Sequence, residues 1–247
     1  TFVSVTGGVI RPIPTTPEEG YRYADRARIE PLINEHTRAI LVTNPGNPTG
    51  VVLSPEEMRL MADIAKEHGL FLISDEVYRE FVYGGEPLAS MAQFDDAAEN
   101  VVVVDSISKI CQGRLCAATL DQLGAAALYG VGSDYFSAVR EEYHRRRDTC
   151  MEGLSQIPGV VCECPKGAFY LMAKLPVDDT DKFQTWLLEE FQDNGETVMF
   201  APGEGFYGTP GKGRDEVRLA YILKQADLRR AMEVLAHGIE AYNSRKL

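Results

Sequence analysis

Ala39-Ile-Leu-Val-Thr-Asn-Pro-Gly-Asn-Pro-Thr-Gly50 is a short apolar run that stops abruptly in a Pro- and Gly-rich turn. An apolar run without polar alternation suits a strand covered on both faces, as in a largely parallel sheet. The two prolines and two glycines that follow fit only a rigid loop. The same pattern occurs twice more. Leu70-Phe-Leu-Ile-Ser74 leads into Asp75-Glu-Val-Tyr78, and Val101-Val-Val-Val104 leads into Asp105-Ser-Ile-Ser-Lys109.

Between the first two runs, Ser54-Pro-Glu-Glu57 has the form of a capping box with proline at the first helical position. A helix is predicted through Met58, Met61, Ile64 and Ala65, ending near His68-Gly69. Strand, helix and strand make one parallel unit. Ligands of such sheets sit beyond the carboxyl ends of the strands. Asn47, Asp75, Tyr78, Ser106, Ser108 and Lys109 all fall at or near that rim. Lys109 stands out because Lys66, on the helix, is the only other lysine in the first 165 residues. A lysine at a strand end behind two serines suits an amine nucleophile beside hydroxyl donors.

A different pattern begins near Asp134. Phe136, Val139, Tyr143, Cys150 and Leu154 recur at helical spacing, with Arg145, Arg146 and Arg147 largely off that stripe as a solvated face. Strands are predicted at 160–164, 168–173, 197–201 and 216–223, and helices at 182–194 and 226–242. This is an α+β arrangement distinct from the first half.

Composition narrows the classes. The 247 residues carry 25 basic and 37 acidic side chains, a net charge of -12, and no run near the ~20 apolar residues of a membrane span. Such acidity argues against binding a phosphate backbone, so neither nucleic acid nor membrane is expected as a partner. The cysteines 111, 116, 150, 162 and 164 lack zinc-site spacing and read as reduced thiols. The four histidines form no HxxxH or HExxH pair, and no metal site is expected. Gly203-Glu-Gly-Phe-Tyr-Gly208 matches GxGxxG literally, yet Pro202 precedes it and Thr209-Pro-Gly-Lys-Gly213 follows where a helix should start. It lacks the context of a dinucleotide site. Gly211-Lys-Gly213 is no Walker loop, since no Ser or Thr follows the lysine.

Together, Thr43-Asn-Pro-Gly-Asn-Pro-Thr-Gly50, Ile73-Ser-Asp-Glu-Val-Tyr78, Ser106-Ile-Ser-Lys109 and Glu216-Val-Arg-Leu-Ala220 resemble the class I/II pyridoxal-phosphate-dependent aminotransferases of fold type I, the aspartate aminotransferase group. The resemblance covers essentially the whole chain, with four motifs in order. It implies an α/β large domain, a mostly parallel sheet sandwiched by helices and incomplete here, at 1–140. A small α+β domain would occupy 141–247, joined through a long helix at about 134–154. It implies pyridoxal 5'-phosphate as cofactor, held as a Schiff base on Lys109, whose freed amine would shuttle the substrate proton. Asp75 would pair with the pyridinium nitrogen, Tyr78 and Asn47 with the ring's phenolic oxygen, and Ser106 and Ser108 with the phosphate. Arg218, with Asn47, would hold the substrate α-carboxylate, a task suited to a planar bidentate fork.

The implied reaction is amino-group transfer between an L-amino acid and a 2-oxo acid. Aspartate and 2-oxoglutarate come first, with aromatic amino acids, alanine or methionine as alternatives. A homodimer in the cytoplasm is implied. The chain departs from the family pattern in two places. Ile110-Cys-Gln-Gly-Arg-Leu-Cys116 directly follows the lysine, where the family has a further stretch ending in a phosphate-binding arginine; Arg114 is too close to Lys109 to take that role. The family's N-terminal portion, with its phosphate loop and ring-stacking aromatic, has no counterpart. A longer protein, with further residues before Thr1 and near 109–110, is therefore expected; a complete chain of this length would be a catalytically dead relative.

Overall fold

The computed structural model describes Val3 and residues 7–84, 89–105, 130 and 132–245. Two compact units emerge. One comprises Ala24–His144 with Pro165–Ala168; the other comprises the segment ending at Tyr23, Arg145–Cys164 and Phe169–Leu247.

In the first unit the three apolar runs form β1 (Ala39–Thr43), β2 (Phe71–Asp75) and β3 (Val101–Val104). They lie parallel in the order β1-β2-β3. Helix α1 (Pro55–Glu67) crosses from β1 to β2. Its start is the predicted capping box: Ser54 Oγ accepts from Glu57 N, and Glu57 Oε2 accepts from Ser54 N. Met58, Met61, Ile64 and Ala65, the predicted stripe, are all fully buried, and the helix packs on β2. Arg59 and Lys66 on α1 pair with Asp96, fastening the helix to the turn before β3.

The runs were expected to be covered on both faces. Among the described residues α1 covers the face of Ile40, Val42 and Leu72, whereas Leu41 and Phe71 on the opposite face are 63% and 56% exposed. Among the described residues, then, the strands lack polar alternation although Leu41 and Phe71 are exposed.

Helix α2 (Ser133–Ser155) matches the predicted long helix, and its residues fall in both units. Tyr143, Cys150 and Leu154 are its buried stripe; Arg147 pairs with Asp148 and Arg146 donates to Ile222 O.

The second unit is built on an antiparallel sheet ordered β4-β6-β5, with β4 at Tyr170–Lys174, β5 at Ala201–Pro202 and β6 at Glu216–Ala220. Helices α3 (Thr180–Glu189) and α4 (Gln225–Ser244) supply its core with Phe183, Leu187, Val234, Leu235 and Ile239. Phe183, Trp186 and Tyr242 pack ring on ring.

Four predicted elements are shorter than their patterns. Residues 160–164 make only a bridge, Val161 to Lys174. Helix α3 stops at Glu189, ahead of a turn in which Asn194 and Gly195 take left-handed backbone. In 197–201 only Ala201 reaches a ladder. Gln184 replaces the missing strand, its amide donating to Val198 O and its oxygen accepting from Phe200 N. Strand β6 ends at Ala220, though Tyr221 N still donates to Phe169 O.

Residues 7–23 belong to this second unit. Tyr21, held in left-handed backbone, donates its hydroxyl to Glu216 Oε2 at 2.8 Å, and Glu18 pairs with Lys174. No described helix is long and apolar enough to cross a membrane.

Candidate active site

The three parallel strands end flush. Thr43 stands opposite Asp75, and Asp75 opposite Val104. One residue further the ladder continues, with Asn44 N donating to Asp75 O and Glu76 N to Val104 O. These bonds fix where the chain leaves each strand, and so fix the rim on which the candidate residues stand.

The loop after β1 is closed by its own groups. Gly46 N donates to Val51 O and Gly50 N to Gly46 O, while the buried Asn44 side chain accepts from Leu53 N at 3.0 Å. The Asn44–Pro45 and Asn47–Pro48 peptide bonds are cis. Gly50 has φ 69°, which a residue with a Cβ adopts only under strain. The loop displays Asn47, whose Nδ2 donates to the Tyr78 hydroxyl at 3.3 Å. Tyr78 is 2% exposed, so its ring is fixed by packing and its oxygen by this contact.

Asp75, the last residue of β2, turns the chain by accepting from Val77 N. Glu76 beside it is buried: its Oε1 accepts from Ser74 Oγ at 3.0 Å and from Met91 N at 2.9 Å. That carboxylate ties the turn after β2 to the segment before β3. Across the rim Arg79 pairs with Asp105 at 2.8 Å. Of the residues expected from sequence, Asn47 and Tyr78 are in contact and Asp75 shares their rim. Ser106, Ser108 and Lys109, together with Arg114 and the proposed break near 109–110, lie outside the described residues.

Arg218 stands in the second unit, on the central strand β6, opposite Met172 of β4 and Ala201 of β5. Its guanidinium carbon lies 4.7 Å from the Tyr170 ring centroid and 4.8 Å from that of Phe206. Phe206 closes the short helical turn Glu204–Phe206, inside the GxGxxG look-alike, and no long helix follows. Glu216, two positions before Arg218, is buried and accepts from both Tyr21 and Tyr207 on the same oxygen, at 2.8 and 2.7 Å. Burial first, and then Glu216 through its charge and the hydrogen bonds it accepts, push both phenol pKa values far above the usual range.

Sequence reasoning missed Glu76, Glu216, Tyr170 and Phe206. The segment 203–208 reads as a loop and not as a nucleotide site, but nothing in it singles out Phe206. Tyr170 and Glu216 could be read as ordinary strand residues, since what they touch is set by sheet register.

A chain with one parallel sheet carrying these motifs on its carboxyl rim and one antiparallel sheet bearing an arginine has the makeup of the pyridoxal-phosphate fold type I class. The pattern of the family "Aminotransferase class I and II" matches residues 1–112. The aspartate aminotransferase of Bacillus subtilis is 30% identical over 92% of this chain and 63% of that protein. A probable aspartate/prephenate aminotransferase of Aquifex aeolicus is 30% identical over 95% and 65%. Among solved structures, an aromatic aminotransferase from Pyrococcus horikoshii aligns with a TM-score of 0.80 at 28% identity, over 99% of this chain and 70% of that one. The chain is thus similar to the class I and II aminotransferases, in sequence over residues 1–112 and in fold to solved members of that group. It spans a little under two thirds of the length of the first two relatives.

Proposed function

We propose that the protein is an aminotransferase moving an amino group between an L-amino acid and a 2-oxo acid, with aspartate and 2-oxoglutarate as the leading pair, and that it works as a homodimer. The observation that carries this reading is the Asn47–Tyr78 contact on the rim that ends in Asp75. That donor set suits a pyridoxal ring: a carboxylate for a protonated ring nitrogen, and an amide and a phenol for the ring's phenolic oxygen.

When bound, pyridoxal phosphate supplies an electron sink for the amino acid's α-carbon. The chain's own residues do the rest. Asp75 holds the proton on the ring nitrogen, and Asn47 and Tyr78 orient the ring through its oxygen. Ser106 and Ser108 hold the phosphate. Lys109 would anchor the cofactor through Nζ and, once its amine is freed, would accept the proton from the substrate α-carbon. Arg218 would bind the substrate α-carboxylate.

Aspartate leads because the Bacillus subtilis and Musicola paradisiaca relatives carry that name. A second reading, aromatic amino acids, draws support from the 30% identical aromatic-amino-acid aminotransferase 2 of Thermococcus litoralis. The test is to add pyridoxal phosphate to the purified protein, follow its visible absorption, and assay a panel of amino donors with 2-oxoglutarate. A violet-edge band and turnover fastest with aspartate are expected, both lost in Lys109→Ala. A band that persists in Lys109→Ala overturns the role of Lys109. A protein with neither band nor turnover is a non-catalytic relative.

A further inference from the structure

We infer that Tyr170 and Phe206 are positioning residues for Arg218, and that Glu216, through Tyr207, is the anchor holding Phe206 in place. The inference rests on the carboxylate-binding role proposed for Arg218. A guanidinium is planar, with its N–H donors along the edges and its π-faces above and below. An aromatic ring 4.7–4.8 Å from the guanidinium carbon is within cation–π range, and Arg218 has two. Rings that take the faces restrict the arginine's torsions and leave the edges for a carboxylate, whose two oxygens match the fork.

Register explains Tyr170. Met172 pairs with Arg218 and Tyr170 with Ala220, which puts Tyr170 diagonally across the sheet on the arginine's face. Phe206 reaches the same guanidinium from a loop and is 39% exposed, so packing alone does not hold it. Its neighbours do. Tyr207 donates to Glu216 Oε2 at 2.7 Å, Gly203 N donates to Glu216 O at 2.7 Å, and Gly211 N donates to Glu204 Oε1 at 2.8 Å. The approach at Gly203 is so close that a Cβ there would lie 2.7 Å from the carbonyl oxygens of Glu216 and Gly213. Strand β6 therefore carries both the guanidinium and, two residues earlier, the carboxylate that fastens its aromatic cover.

The test compares Phe206→Leu, Phe206→Tyr, Tyr170→Leu and Tyr207→Phe with the parent enzyme. It measures kcat and KM for the amino donor, pyridoxal phosphate affinity by absorption, and the dissociation constant of succinate by calorimetry. Phe206→Leu and Tyr170→Leu should each raise KM and the succinate dissociation constant about tenfold, with kcat and cofactor affinity within about twofold. Phe206→Tyr should restore parental values, and Tyr207→Phe should weaken succinate binding in the same direction. If Phe206→Leu keeps the parental melting curve and binds succinate within twofold of the parent, the inference is overturned. If it unfolds, Tyr207→Phe decides, and unchanged succinate binding there overturns the inference too. Failure of the functional reading looks different: the parent would neither bind pyridoxal phosphate nor transaminate, whatever the aromatic variants do to succinate.

Discussion

Asn47 Nδ2 donates to the Tyr78 hydroxyl across 3.3 Å, joining the loop after β1 to the turn after β2. Neither turn alone would place both groups. If they orient the cofactor ring, Tyr78→Phe removes one hydrogen bond without opening a cavity. Pyridoxal phosphate affinity should fall about five- to tenfold, the equivalent of ~1 kcal/mol, with the melting temperature little changed. Asp75→Asn should bind the cofactor yet turn over about a hundredfold more slowly, because an amide cannot keep the ring nitrogen protonated. Absorption titrations and steady-state rates separate the two effects.

Glu76 is fully buried with two donors on Oε1, from Ser74 and Met91, and no partner for Oε2 among the described residues. Glu76→Ala strands the Met91 N–H and the Ser74 hydroxyl in a dry site. A loss of ~1–3 kcal/mol is expected in urea unfolding. An unchanged midpoint would mean the carboxylate contributes nothing net.

Gly153 on α2 tests two opposed effects. In a helix interior Gly→Ala stabilises by about 1 kcal/mol through propensity. Here the added Cβ would meet Met232 Cβ at 2.5 Å, and that atom is fixed to the backbone of α4. Separating two packed helices costs about 1–3 kcal/mol, so the clash should win and Gly153→Ala should melt lower than the parent.

Acid sensitivity follows from the carboxylates tied to cations. Asp96 is held down to about 2, first by its hydrogen bond from Arg59 and then by that from Lys66. Asp193 is lowered chiefly by the hydrogen bond with His237, and Glu67 by that from Arg26. An unfolded carboxylate titrates near 4. Below that pH the unfolded chain binds protons that the folded chain refuses, so the contribution, complete above about 4, disappears as pH falls toward 2. Asp96 and Glu67 are exposed, and added salt should shrink their part of the effect. The stability difference between the parent and Asp96→Asn should narrow across that window; a constant gap from pH 7 to pH 2.5 would refute the assignment.

Much of the first unit was legible because local signals carried it. Ser54 and Glu57 announce their own helix, and three apolar runs ending in polar turns announce a parallel sheet and its rim. Asn47, Asp75 and Tyr78 could be placed on that rim by counting from strand ends. Residues 197–201 were misjudged as a full strand because the Gln184 side chain, remote in sequence, takes the hydrogen bonds a neighbouring strand would have taken. The neighbours of Arg218 were invisible for a related reason: Tyr170 depends on which residue of β4 faces β6, and Phe206 on a loop fixed by a buried carboxylate.

Tyr21 and Glu216 are 195 positions apart and share a 2.8 Å hydrogen bond. The unit they close is therefore discontinuous in sequence, interrupted by nearly all of the other. During synthesis, β1, β2 and β3 can assemble from contacts made as the chain emerges, whereas residues 7–23 must wait for β6, the last of the described strands. Non-local pairings of this kind are slow to form. Among the described residues, the docking of 7–23 thus follows the assembly of the parallel sheet, although that segment precedes the sheet in sequence.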